Sequence, residues 1–266
     1  SGTNNIYVVH QAKSVGTIDP PATETIAKTF SGNVTMSGTN TLSGATTVSG
    51  ALTASGGATI SGTTPTLTIG DAGAEDTKIV FDGNAQDYHI GLDDSADTLV
   101  IGKGSALGTT SHIVIDATGA VTKPLQPAFL AKSAAMSNLA TATTHDVQFS
   151  SEVFDQNGDY NTSNYTFTAP VTGRYQLSCA LKINNIDKDS DYYSANIDAA
   201  NTGVTIFAVK TPYLFSEDTN YHQWAVSMLI DMDANDTAKV TFRPQAGAAQ
   251  ADINANESLF SGFLVC

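Results

Sequence analysis

From Ser31 to Gly62 the dipeptide Ser-Gly recurs every six residues, with glycines at Gly32, Gly38, Gly44, Gly50, Gly56 and Gly62. In each full hexad the fifth residue is threonine (Thr35, Thr41, Thr47, Thr53, Thr59) and the sixth is apolar (Met36, Leu42, Val48, Ala54, Ile60). An unbroken period of six rich in Gly, Ser and Thr is not helical, and predicts extended chain with a turn in each repeat. One buried apolar side chain per hexad contributes about 1.5–3 kcal/mol, whereas ordering six backbone units costs on the order of 6–12 kcal/mol. A lone chain therefore cannot hold this shape. A single-chain hexapeptide β-helix stacks three hexads per coil, and the segment falls short of the roughly three repeats a solenoid needs. Three chains wound about one axis supply the missing neighbours, and this is the assembly the pattern favours.

Between Thr66 and Thr122 the pattern changes to short strands with alternating apolar positions. The pairs are Leu67 and Ile69, Ile79 and Phe81, Ile90 and Leu92, Leu99 and Ile101, and Ile113 and Ile115. Turn residues separate them, at Gly70-Asp71, Asp82-Gly83-Asn84, Asp93-Asp94, Gly102 to Gly104 and Thr118-Gly119. Strands with two strong anchors each suit a prism or meander whose core is too thin for one chain. The hexads, followed by Thr66-Leu-Thr-Ile-Gly-Asp71, Ile79-Val-Phe-Asp-Gly-Asn84, Ile90-Gly-Leu-Asp-Asp94 and Leu99-Val-Ile-Gly102, resemble the shafts of tailed-bacteriophage tail fibres and related virion fibres.

Beyond Lys123-Pro124-Leu125-Gln126-Pro127 the strands lengthen and aromatic residues appear. Alternation is clear through Tyr175, Leu177, Cys179, Leu181 and Ile183, and through Trp224, Val226, Met228, Ile230 and Met232. Further strands are expected at Val204–Val209, Lys239–Phe242 and Leu259–Val265, and no segment reads as a helix. The pattern predicts a β-sandwich over this region. Phe149, Asp155, Tyr160, Phe167, Gly173 and Tyr175 follow one another in an order that resembles the signature of the complement-one-q globular head, within the tumour-necrosis-factor-like jelly-roll superfamily. Phe167-Thr-Ala-Pro-Val-Thr-Gly-Arg-Tyr175 is similar to the family's strand-turn-strand, and Phe260-Ser-Gly-Phe-Leu-Val265 to its closing strand. Leu177 and Cys179 stand where the family prefers aromatics. The resemblance implies a ten-stranded jelly roll that assembles as a threefold trimer, with its termini near one end and binding loops elsewhere.

The expected fold is thus all-β: a trimeric β-shaft, as intertwined β-helix or prism, followed by a jelly-roll β-sandwich. Residues 1–30 read as an attachment or lead-in segment, 31–64 as the hexad shaft, 65–124 as the short-strand shaft and 125–266 as the head. With 26 acidic and 12 basic residues among 266, the formal charge of −14 disfavours binding to nucleic acid and to anionic lipid. No stretch approaches the roughly 20 apolar residues of a membrane span. Cys179 and Cys266 are expected to be unpaired thiols, since two cysteines cannot form the framework of a small disulfide-rich domain.

Candidate chemistry is sparse. Asp187, Asp189 and Asp191 form an Asp-x-Asp-x-Asp run that offers oxygen ligands suited to calcium; Tyr192 replaces the glycine an EF-hand needs, and the alternative is a solvated acidic loop. Asp231, Asp233 and Asp236 read as turn residues, the alternative being acidic groups that share an ion near a trimer axis. Tyr192, Tyr193, Tyr213, Tyr221 and His222 are the candidates for a receptor- or glycan-binding surface, because rings give contact area at low entropic cost; packing between subunits is the competing role. The five histidines (His10, His89, His112, His145, His222) are scattered, and no triad, zinc motif or phosphate loop is present. No catalytic residue or cofactor is assigned. The sequence therefore predicts a non-enzymatic homotrimeric fibre on the surface of a virion, joined to other virion proteins by its N-terminal segment and to a host glycan or protein by its head. A decoration protein whose head only trimerises and caps the shaft, and a glycan depolymerase, are the alternatives.

Overall fold

The computed structural model describes residues 31–248 and 250–266; the expected lead-in segment, residues 1–30, lies outside them. The chain divides after Pro65 into two units, with the second spanning Thr66–Cys266. In the described part of the first, residues 31–65, every residue is exposed and no strand forms. Met36, Leu42, Val48 and Ile60 all stand in solvent. The hexads do not coil on themselves in this single chain.

The second unit begins with an antiparallel meander of five strands: β1 (Thr77–Phe81), β2 (Tyr88–Asp93), β3 (Thr98–Lys103), β4 (Ser111–Ile115) and β5 (Val121–Thr122), paired in that order. Leu67 and Ile69, expected to anchor a further strand, lie in irregular chain, since the ladder starts only at the Thr77↔Leu92 pair. Alternation places Ile79, Ile90, Ile101 and Ile113 in one cross-strand row and Leu92, Leu99 and Ile115 in another. Their face is not buried within the chain. The opposite face is covered by the loop between β3 and β4. There His89 and Val100 are buried, and His89 Nδ1 lies 2.8 Å from the Gly104 carbonyl oxygen. Glycine at 91 permits this closure: a Cβ there would lie 2.8 Å from Leu107 Cδ1 and 2.5 Å from the Thr77 carbonyl oxygen.

The head comprises β6 (Ala128–Lys132), β7 (Met136–Leu139), β8 (His145–Asp146), β9 (Ser151–Asp155), β10 (Tyr160–Asn161), β11 (Thr166–Thr168), β12 (Gly173–Asn184), β13 (Tyr192–Ala199), β14 (Val204–Lys210), β15 (His222–Met232), β16 (Thr237–Gln245), β17 (Ala251–Ile253) and β18 (Leu259–Leu264). One sheet runs β7-β17-β12-β18-β6-β9, with β15 on the other side of β12; the other runs β10-β11-β16-β13-β14, with β8 against β16. The head has thirteen strand segments rather than ten because its margins are made of short pieces, two of them beside register shifts at Leu130/Ala131 and Ala251/Ile253. Its helical content among the described residues is one 3₁₀ turn, Pro212–Leu214.

The inward positions of both sheets meet in one core. Phe129 stacks on Tyr160 at 4.8 Å and on Phe167 at 5.0 Å, and Phe260 meets Phe129 edge-on at 5.0 Å. The signature residues take the places their chemistry requires. Asp155 accepts hydrogen bonds from the backbone N–H groups of Gly158, Asp159 and Tyr160, fixing the turn that delivers Tyr160; the Tyr160 hydroxyl donates to the Phe149 carbonyl at 2.9 Å. Gly173 admits the closing strand, since a Cβ would sit 2.8 Å from the Cys266 carbonyl oxygen. Leu177 and Cys179 are fully within the core, and burial pushes the Cys179 thiol pKa well up. Both cysteines are free.

Candidate functional site

The entry of the chain into the head fixes which end is free. Gln156 Nε2 donates to the Lys123 and Gln126 carbonyls, both at 2.8 Å, and Gln126 Nε2 donates to the Leu264 carbonyl at 2.7 Å. The Leu264 N–H bonds the Pro127 carbonyl, and the Arg174 N–H bonds that of Cys266. Entry segment, C-terminus and the start of β12 therefore share one end. At about 3.3 Å per residue, β12 carries the chain roughly 35 Å to the opposite end, where Asn184 leads into a group of loops.

Those loops brace one another. Ile186 and Thr219 exchange backbone hydrogen bonds of 2.9 and 3.0 Å, and the Lys188 N–H donates to Asp218 Oδ1 at 3.0 Å. On this base Tyr213 is 69% exposed, Leu214 77% and Tyr221 66%. Tyr221 has a φ of 63°, a left-handed conformation that is uncommon for a bulky residue and marks a site where the surroundings dictate the backbone. The Lys182 ammonium lies 4.7 Å from the centroid of the Tyr221 ring and 2.8 Å from Glu257 Oε1. Hydrogen bonds from Lys182, then from Asn254, hold the Glu257 carboxyl below its usual range. His222 is half-buried, with its ring 5.6 Å from Phe215 and 5.8 Å from Trp224. Burial, followed by the charge of Lys210, lowers its pKa, so the neutral imidazole is favoured. The arrangement offers flat rings beside hydrogen-bonding Asn, Asp and Lys groups, which suits contact with a polar, ring-bearing ligand.

The other expected site residues are distributed differently. Tyr193 is no surface residue: its ring is buried against Trp224 at 5.7 Å and Phe242 at 6.0 Å, and its hydroxyl accepts from the Asp187 N–H at 3.0 Å. It belongs to the core because it takes the inward register of β13. Tyr192, its neighbour on the outward side, is half-buried. The Asp187, Asp189 and Asp191 run does not converge. Asp187 is buried, with Oδ1 accepting from the Asp189 N–H at 2.8 Å and Oδ2 from the Ala248 N–H at 2.6 Å, whereas Asp189 turns outward to Lys188. Among the described residues no three His, Cys, Asp or Glu side chains gather as a metal site. Asp231 lies in β15 opposite Arg174 rather than in a turn, while Asp233 and Asp236 close the following turn, the Asp233 N–H donating to Asp236 Oδ2 at 2.9 Å. Lys182 and Leu214 were not legible as site residues. Lys182 meets Tyr221 only through folding, and the one local signal for Leu214 is the proline that opens its 3₁₀ turn.

A second surface lies along the outer face of the sheet containing β12. Ser178, Ser227, Ser261, Ala180 and Ala225 form a floor of small residues, flanked by the outward-facing Leu130, Leu229, Leu259 and Phe263. A groove lined by Val121, Ala128, Phe263 and Leu264 joins it to the meander.

No curated protein matches this chain. Among solved structures, it is similar to the globular domain of the zebrafish complement 1qA protein at 17% identity, over 53% of this chain and 98% of that chain, with a TM-score of 0.41. It is similar to murine APRIL at 10% identity, over 53% and 99%, with a TM-score of 0.40. It is also similar to the vertex protein P5 of PRD1 at 12% identity, over 53% and 99%, with a TM-score of 0.39. A family model described as the C1q domain matches residues 128–265, which is more than half of the sequence and the whole of the two-sheet head. The chain belongs to the C1q domain family.

Proposed function

We propose that this chain is one subunit of a homotrimeric bacteriophage fibre or spike, and that the end of its head opposite the entry of residues 123–127 attaches the virion to a glycan or protein of the host surface. The observation that carries the attachment reading is the exposed trio Tyr213, Leu214 and Tyr221 on mutually braced loops at that end. Solvated rings of this size cost free energy unless a ligand covers them. The hexads support the fibre reading, because their apolar residues stand exposed in a single chain and need neighbours. C1q and TNF domains typically form homotrimers, which accords with three shaft strands held in register by their heads. Three weak contacts on one stalk raise avidity by 10² or more. In this reading residues 1–30 join the fibre to other virion proteins and the chain carries no catalytic function.

The test is binding of the full chain to a glycan array of bacterial surface polysaccharides and to whole bacterial cells, beside a Tyr213→Ala/Tyr221→Ala variant. Retained folding with at least tenfold weaker binding supports attachment through this end. Binding by the variant equal to that of the parent rejects this site, and no binding by either points to a purely structural head. Release of reducing sugar from the bound polysaccharide would show a depolymerase instead.

A further inference from the structure

We infer that the meander β1–β5 is one wall of a three-walled prism, and that its uncovered face packs against the same face of two further copies of this chain. This rests on the trimeric reading above and adds where the copies meet outside the head. The two faces of the meander differ in a way that calls for a partner. One is closed within the chain: Leu107 lies over Gly91, Lys78 Nζ donates to the Ser105 carbonyl at 2.6 Å, and the Lys103 N–H bonds the Thr110 carbonyl at 2.9 Å. The other presents the isoleucine row of β1 to β4, the Leu92–Leu99–Ile115–Val121 row, and Phe81 beside Tyr88. Ten large apolar side chains, eight of them 36–61% exposed, leave on the order of 800 Å² uncovered, above the ~300–600 Å² patch a monomer typically carries.

Three observations select copies of this chain as the occupant. The first is charge. The strand positions on this face include no Asp or Glu, and their one charged residue, Lys103, sits at the rim opposite Tyr88, although the chain carries a net −14. Strongly acidic copies can meet on such a face without opposing carboxylates. The second is continuity. Val121 ends one apolar row and also lines the groove that contains Phe263, so the face runs on into the small-residue floor of the head. The third is the junction. Gln126 and Gln156 tie the segment between meander and head at both ends, so one symmetry must serve both. Three is the number because the hexads, with one apolar residue per repeat, need two neighbours each.

Val80 and Ile101 make the test internal, since they lie on opposite faces of the meander and are equally exposed in a single chain, at 37% and 36%. Val80→Cys and Ile101→Cys are made separately in the full chain with Cys266→Ser. Mass is measured by light scattering, and the rate of modification by a maleimide is measured for each. The expected result is three times 27.6 kDa, with Ile101→Cys modified at least tenfold more slowly than Val80→Cys. A trimer with equal rates overturns the prism and leaves the trimeric reading to the head. A monomer overturns both. A monomer with Ile101→Cys protected also overturns it.

Discussion

Tyr193→Phe separates a structural tyrosine from a ligand-binding one. The substitution removes a single oxygen while the ring keeps its contacts with Trp224 and Phe242. The lost oxygen accepts from the Asp187 N–H at 3.0 Å, in a residue that is itself buried, so one buried hydrogen bond disappears. Removing one partner of a buried hydrogen bond costs about 1–3 kcal/mol. For a domain of this size that is a fall in Tm of roughly 3–10 °C. The chain has one tryptophan, Trp224, buried beside Tyr193, so intrinsic fluorescence during urea unfolding reports on the head alone. Protomer concentration has to be held constant, because assembly adds to apparent stability. The expected result is a lower urea midpoint with an unchanged slope and unchanged adhesion to bacterial cells. An unchanged midpoint together with lost adhesion would refute the reasoning and return Tyr193 to the binding surface.

Gln156→Ala removes both bonds to the segment entering the head, and amide exchange at Gln126 and Leu264 should quicken about thirtyfold if each bond contributes ~1 kcal/mol; exchange equal to the parent's would show that the prolines alone hold it. In the native protein Ellman's reagent should modify one thiol per chain, the exposed Cys266, and reach Cys179 only on unfolding, because burial raises its pKa and excludes the reagent; two thiols modified at once would contradict the core. His222 has a lowered pKa in the folded state, so its neutral form carries the stability, which is fully present above the unfolded value of about 6.5 and declines as pH falls through that value toward the folded one. Urea midpoints between pH 7.5 and 5.5 should fall in the parent and fall less in His222→Gln; parallel decreases would assign the change to other groups.

The long strands of the head were legible because two residues per repeat is a strong local signal. Tyr175 to Ile183 and Trp224 to Met232 alternate without interruption, and both runs line the core. The signature from Phe149 to Tyr175 was legible by its order and spacing, which resemble those of a known family, and not by alternation. What the sequence did not disclose depends on distant pairing. Asp187 has its place because the N–H of Ala248 reaches it across 61 positions, and nothing near Asp187 announces that. Tyr192 and Tyr193 differ only in register, and register is set by β16, some fifty residues later. In the meander the rows were legible but their single-chain environment was not, since the apolar rows stand open and a glycine-lined face with His89 and Val100 is the one that closes.

The Gln126 and Gln156 junction also has a mechanical side. A pull arriving along residues 123–127 enters β6, which is hydrogen-bonded on one flank to β18 and on the other to β9. Were the far end of the head held, the load would lie along these strands, and the bonds of both flanks would share it at once rather than open one by one. Tension is thereby delivered as shear, the direction in which paired strands yield last.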